Sequence, residues 1–251
     1  MQKLLLLLLG ISLTLCGAGF LYGSDNLELG APGQAETIID RDGYALGYSP
    51  EHRQAVWVIY KLTAGEVGSR VAGRSNNFRV DPEIHSQQAE PEDYRNSGYD
   101  RGHLAPAADM AWSETTMSES FFMSNISPQQ PAFNRGIWAK LEAQVRAFAV
   151  AEGELYVVTG PVLSADSTAT IGAARVAVPT GFYKVIYDLT PPCKMIAFML
   201  PNGGSRRPLQ DFVVTVDMVE AATGLDFFPR LPESEERELE STVDLQQWNW
   251  R

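Results

Sequence analysis

Residues 99–110 read YDRGHLAPAADM, and residues 124–146 read SNISPQQPAFNRGIWAKLEAQVR. The first stretch sets Arg101 and His103 on either side of Gly102 and continues into a turn containing Pro106. The second is a polar loop that closes at Pro131 and runs into a predicted helix over 133–150. There Ile137, Leu141, Val145 and Phe148 recur every three or four residues, the spacing of one apolar helix face.

Few structural roles need the first combination. Histidine titrates near neutrality, so His103 beside a phosphate can take a proton from an attacking water, and Arg101 can hold the anion. Taken alone, Asp100 to His103 also fits a tight turn with a salt bridge. In the second stretch, at about 100° per residue, Asn134, Trp138, Glu142 and Arg146 drift by about 40° each time. An amide, a carboxylate and a guanidinium then share one flank of the helix. By itself this pattern equally describes a helix capped by Asn134, with Trp138 in the core and a Glu142–Arg146 ion pair. His52 and His85 have no such neighbours and read as ordinary surface or core histidines.

Around these stretches lie runs rich in β-branched and aromatic residues. Residues 54–62 (QAVWVIYKL), 155–162 (LYVVTGPV), 177–188 (AVPTGFYKVIYD) and 194–200 (KMIAFML) read as strands. A second helical pattern covers 209–223 and closes at Gly224. Strands and helices mix without strict alternation, which predicts an α+β fold with a central, mainly antiparallel sheet flanked by helices. Residues 24–36 are polar and contain glycine and proline, which reads as a linker. The main domain then spans 37–232, and 233–251 forms an acidic tail that begins as a short helix.

The chain has 251 residues, of which 45% are hydrophobic and 20% charged, enough apolar content for a sizeable core. Its formal charge is −11. That excludes a generic polyanion binder with a broadly basic surface, although the tail concentrates acidic residues away from the two stretches. Residues 1–23 open with Lys3 and an unbroken run from Leu4 to Leu9, the pattern of an export signal or N-terminal anchor. The first arginine is Arg41, which argues against an arginine-rich transit peptide. The run LTLC ending at Cys16 is similar to a lipid-attachment box except at Leu15. The expected location is secreted, periplasmic or envelope-attached, with membrane contact only if this segment is retained or lipidated. If Cys16 is removed, Cys193 stands alone and reads as a small core residue.

Together the two stretches resemble the DNA/RNA non-specific endonucleases, a family of ββα-metal (His-Me finger) nucleases. The family pattern of Asp-Arg-Gly-His, then Asn-Ile-Ser-Pro-Gln, then Asn, Trp and Leu-Glu stands here in order. Its members are Asp100 to His103, Asn125 to Gln129, Asn134, Trp138, Leu141 and Glu142. A weaker likeness extends over roughly 40–232. The resemblance implies that His103 is the general base and that Asn134 is the direct protein ligand of magnesium, with manganese as a substitute. Glu142 would orient metal-bound water, Arg101 and Arg146 would contact phosphate, and Asn125 would help hold the site. A further family arginine finds Arg74, Arg79 or neither in unambiguous register, and that contact stays unassigned. DNA and RNA are the implied substrates, cut to 5′-phosphate ends; family members often pair as homodimers, and a protein inhibitor is a further candidate partner that the residues leave open. The competing expectation is a catalytically silent protein of the same fold that binds nucleic acid or a partner at the envelope.

Overall fold

The computed structural model describes residues 24–163 and 169–250. Among these residues the strands run in chain order: β1 Thr37–Asp40, β2 Ala45–Ser49, β3 Gln54–Thr63, β4 Asp100–His103, β5 Ile126–Gln129, β6 Glu154–Val162, β7 Thr170–Ile171, β8 Val176–Ala177, β9 Gly181–Asp188, β10 Lys194–Pro201 and β11 Val213–Val214. The helices are α1 Ala64–Gly68, α2 Glu114–Glu119, α3 Ala139–Glu152, α4 Val216–Thr223 and α5 Glu233–Ser241. Seven strands form one sheet in the order β1-β2-β3-β6-β9-β10-β11. Every pairing in it is antiparallel, as the α+β expectation required.

The central strands are apolar on both faces because both faces are covered. In β3, Val58, Tyr60 and Leu62 point into one layer with Leu141, Val145 and Phe148 of α3. Trp57 and Ile59 point into the opposite layer with Val216, Val219, Phe227 and Phe228. The α3 layer is braced by an aromatic group: Phe133 stacks on Trp138 and on Phe182 of β9, both at 5.2 Å between ring centroids. Such pairs contribute about 0.5–1.5 kcal/mol each beyond area burial. They anchor the start of the helical segment to the sheet.

β4 and β5 form a separate two-stranded ribbon in which Asp100 faces Gln129 and His103 faces Ile126. Gly102 is required there, since a Cβ would come within 2.2 Å of the buried Gln129 side chain. The chain then enters the helical segment, completing a β–β–helix unit on the α3 side of the sheet.

Several local expectations are corrected. The helix predicted over 133–150 is broken at its start: Phe133–Trp138 is a widened, π-type turn with Gly136 at φ −112°, ψ −106°, and regular helix begins only at Ala139. A residue without Cβ tolerates that backbone, and the break re-aims Asn134 relative to Glu142. The helix predicted over 209–223 resolves into a 3₁₀ turn at Leu209–Phe212, the edge strand β11, and α4. The β-branched pair Val213 and Val214 prefers the extended form. Thr215 caps α4 by accepting from the Met218 N–H, and Gly224 ends it at φ 70°. The strand predicted from 177 is interrupted at Pro179, which has no N–H to donate, and β9 starts at Gly181.

Residues 24–36, expected as a linker, are pinned to the sheet. Leu27 is buried, and the Asn26 amide donates to the Arg41 carbonyl at 2.9 Å while accepting from the Lys61 N–H at 3.1 Å. The Trp57 indole donates to the Gly33 carbonyl. The tail begins with the short acidic helix α5, but its end is part of the core. Trp248 is buried against Phe148 at 4.8 Å, and the Gln144 amide of α3 donates to the Asn249 carbonyl at 3.0 Å. Cys193 is a free thiol. Among the described residues no helix is long and apolar enough to cross a membrane, and the signal or anchor expected at 1–23, like Cys16, lies outside them.

Candidate active site

His103 ends β4 and is buried, its ring packed edge-on against Phe121 at 4.8 Å and tilted over Phe78 at 5.5 Å. Asn125 fixes the chain that follows. Its amide donates to the carbonyls of Ala105 and Ser120 and accepts from the Ala105 N–H, all at 2.9 Å. Asn125 is fully buried and these bonds occupy it, so it positions the His103 turn and does not face a substrate. His103 Nε2 is buried without a hydrogen-bond partner among the described residues. Burial, reinforced by the Arg74 cation, pulls the imidazole down to about 3, because nothing beside it stabilises the charged form. The ring is neutral at pH 7 and able to accept a proton.

Asn134 lies in the widened turn Phe133–Trp138. Its amide nitrogen donates to Asp100 Oδ2 at 2.9 Å, and Arg135 binds the same carboxylate through Nε at 2.8 Å and Nη2 at 2.6 Å. Burial works to raise the Asp100 pKa, but the hydrogen bonds from Arg135 and Asn134 outweigh it and leave the group below the usual carboxylate range. A carboxylate can only accept, so it dictates which end of the Asn134 amide it receives. The amide oxygen is left for another partner. Asp100, the first residue of the motif, therefore acts by orienting Asn134.

Arg101 projects from β4 with its guanidinium 4.4 Å above the Phe78 ring. Arg74 stacks on Phe121 at 5.1 Å, and its charge is felt at both His103 and Glu142. Arg79 is committed elsewhere, donating to the Ser118 carbonyl and hydroxyl and stacking on Phe122 at 4.0 Å. Arg74, unlike Arg79, lines the clefts beside these residues. A cleft of about 650 Å³ runs over Arg74, Phe78, Asp100, Arg101 and Asn134. A second cleft of about 650 Å³ carries Arg70, Arg74 and Arg146, so Arg74 joins the two.

Glu142 and Arg146 do not form the ion pair that their spacing allows. Arg146 Nη1 binds Asp109 Oδ1 at 2.7 Å, and Tyr60 donates to the other Asp109 oxygen at 2.9 Å. Of the cations that act on Glu142, Lys184 of β9 acts most strongly, ahead of Arg146 and Arg74; it is fully buried, its Nζ has no hydrogen-bond partner among the described residues, and it lies 5.0 Å from the Trp138 ring centroid. Burial raises the Glu142 pKa against the pull of Lys184, and burial lowers that of Lys184 against the pull of Glu142. Sequence reasoning assigned no role to Lys184, Asp109 or Asp100. The available signal for Lys184 was a lysine inside the apolar run FYKVIYD, in phase with Phe182 and Ile186, which face α3.

Because the Lys184 cation favours ionised Glu142, Lys184→Met is expected to move the acid limb of the pH–rate profile to higher pH. Activity should fall roughly 10–100-fold, the usual cost of losing a partner outside the first coordination layer. A folded variant with an unmoved limb would refute this role.

The site therefore holds a buried neutral histidine, an oriented amide oxygen and several arginines. The sequence matches the DNA/RNA non-specific endonuclease family over residues 23–234. It is 37% identical over 246 residues to a nuclease of Syncephalastrum racemosum, covering 89% of this chain and 77% of that protein. It is 35% identical over 218 residues to the mitochondrial endonuclease G of Homo sapiens, covering 81% and 73% respectively. The fold superposes on a chain from the crystal structure of the EndoG/EndoGI complex with a TM-score of 0.76 at 35% identity, covering 83% of this chain and 91% of the other. The chain belongs to the DNA/RNA non-specific endonuclease family and is an enzyme that hydrolyses nucleic acid.

Proposed function

We propose that this endonuclease cleaves phosphodiester bonds of both DNA and RNA with magnesium, for which manganese can substitute, and leaves 5′-phosphate ends. The observation that carries this reading is the pairing of a neutral, buried His103 with Asn134, whose amide oxygen Asp100 leaves free. That oxygen, with Glu142 able to orient water behind it, suits a hard cation that keeps most of its own water shell. When bound, the metal supplies charge neutralisation at the phosphate and stabilises the leaving oxygen. His103 takes the proton from water as the water oxygen attacks phosphorus and the bond to the 3′-oxygen breaks. A pKa of about 3 makes the free imidazole a weak base, but the approaching anionic phosphate raises it, so the base gains strength when substrate arrives. Arg74, Arg101 and Arg146 line the clefts where a phosphate would lie. Contacts to phosphate do not read base identity, which supports broad substrate use.

The test is digestion of plasmid DNA and of RNA by residues 24–251 with magnesium or with a chelator. Magnesium-dependent cutting of both is expected. A folded protein that binds nucleic acid without cutting would transfer support to the silent binding protein. The pattern of residues 1–23 supports export to the periplasm, envelope or medium, although curated relatives include mitochondrial enzymes. An uncleaved N-terminus found in the cytosolic fraction would overturn export. The likeness to a chain crystallised in an inhibitor complex supports a protein inhibitor as partner, and the family resemblance supports a homodimer. Co-purification and light scattering would check these in turn.

A further inference from the structure

On the opposite face of the sheet from the catalytic clefts, α4 and α5 bring three carboxylates together. Asp217, Glu220 and Glu240 each offer an oxygen within 4.8 Å of the others. Asp217 is exposed, Glu220 is half-buried, and Glu240 is only 5% exposed. Acidic groups often cluster on a surface without purpose. Here, however, the Glu240 side chain is buried within the cluster, and its Oε1 has no hydrogen-bond partner among the described residues. A buried, unpaired carboxylate oxygen is costly unless it is neutralised. None of the three forms an ion pair with any described residue; the protein bond given to the group is the one Glu220 Oε1 accepts from the Phe227 N–H at 2.8 Å.

We propose that Asp217, Glu220 and Glu240 form a calcium site that clasps α5 to α4. Calcium takes six to eight oxygens at roughly 2.3–2.6 Å in a flexible shell, so oxygens on opposite sides of it lie about 4.8 Å apart. The cluster fits within that span. Three carboxylates also supply the charge that a hard divalent cation selects, with water completing the shell. Without a cation three carboxylates crowd together, one of them buried with an unpartnered oxygen, an arrangement a divalent cation would relieve. The clasp has a structural consequence beyond its own helices. α5 leads into the tail whose Trp248 packs on Phe148 of α3, the helix that carries Glu142 and Arg146. Holding α5 therefore supports the back of the catalytic helix.

The experiment uses the full chain carrying Asn134→Ala, so that the catalytic cleft does not report. Calcium is titrated into chelator-treated protein by calorimetry, and the thermal midpoint is followed in parallel. The expected result is one calcium per chain and a midpoint raised by roughly 5 °C at saturation. Both effects should vanish with Glu240→Gln, which keeps the shape, removes one repelling charge and so should fold at least as well as the parent. Asp217→Asn, at an exposed position, should lose most of the shift independently. In the otherwise unaltered enzyme and with calcium absent, Glu240→Gln should leave the magnesium-dependent digestion rate unchanged. Absence of heat and of any shift, or an undiminished shift in Glu240→Gln, would overturn the assignment.

Discussion

Replacing His103 with alanine is expected to lower turnover on plasmid DNA by roughly 10²–10⁴-fold, the range that a positioned general base contributes. The loss should fall on the chemical step and leave nucleic-acid binding largely intact, because Arg74, Arg101 and Arg146 are untouched. The fold should survive. Alanine forfeits contacts with Phe78 and Phe121, but it also removes a buried Nε2 that has no partner. A stability signature accompanies the kinetic one. The native imidazole is held at about 3 while the unfolded chain has the ordinary value near 6.5. Below pH 6.5 the unfolded state gains a proton that the native state refuses, so the wild type loses stability progressively as pH falls from about 6.5 toward 3. The alanine variant is spared that loss. Urea unfolding at neutral and acidic pH should show the difference between the two proteins shifting in favour of the variant on acidification. Activity within tenfold of wild type in the folded variant would remove His103 from the role of base.

Asn134→Ala is expected to be nearly as damaging, for a different reason. It deletes the oxygen offered to the metal, whose electrostatic contribution of several kcal/mol corresponds to a rate loss of about 10²–10³. A magnesium titration of activity should show half-saturation moved to higher concentration as well as a lower plateau. Aspartate at the same position gives a sharper test. A carboxylate is ordinarily the stronger ligand for magnesium, yet here it would sit against Asp100, whose Oδ2 is 2.9 Å from the Asn134 nitrogen. Two carboxylates at that range repel, so Asn134→Asp should restore little activity. Adding Asp100→Asn to Asn134→Asp should recover part of the loss, since an amide can donate to the new carboxylate. Full activity in Asn134→Asp alone would show that Asp100 does not dictate the orientation of this side chain.

What the sequence determined by itself was local. The apolar runs at 54–62, 155–162 and 194–200 became strands close to where they were read, whereas the β–β–helix unit was expected only through the family resemblance carried by Asp100–His103, Asn125–Gln129 and Asn134–Glu142. Such signals lie within a few residues of one another, where period and turn chemistry act directly on the backbone. Local patterns misled where two signals competed: the apolar spacing at 209–223 hid the extended Val213–Val214 pair, and the spacing at 133–150 hid the break at Gly136.

Tertiary structure alone decided who partners whom. Arg74 and Arg79 are indistinguishable by register in the chain, and only the packing of Phe121 and Phe122 sends one to His103 and the other to Ser118. Glu142 lies four residues from Arg146, yet its cation comes from β9 and the partner of Arg146 from the loop after β4. Antiparallel pairing of β3 with β6 and of β6 with β9 places Tyr60 and Lys184 on the α3 face of the sheet, with Glu142 and Asp109. That convergence depends on the register of strands far apart in the chain. Which charges face one another across the core is set by the register of distant strands, which the spacing within one helix does not encode.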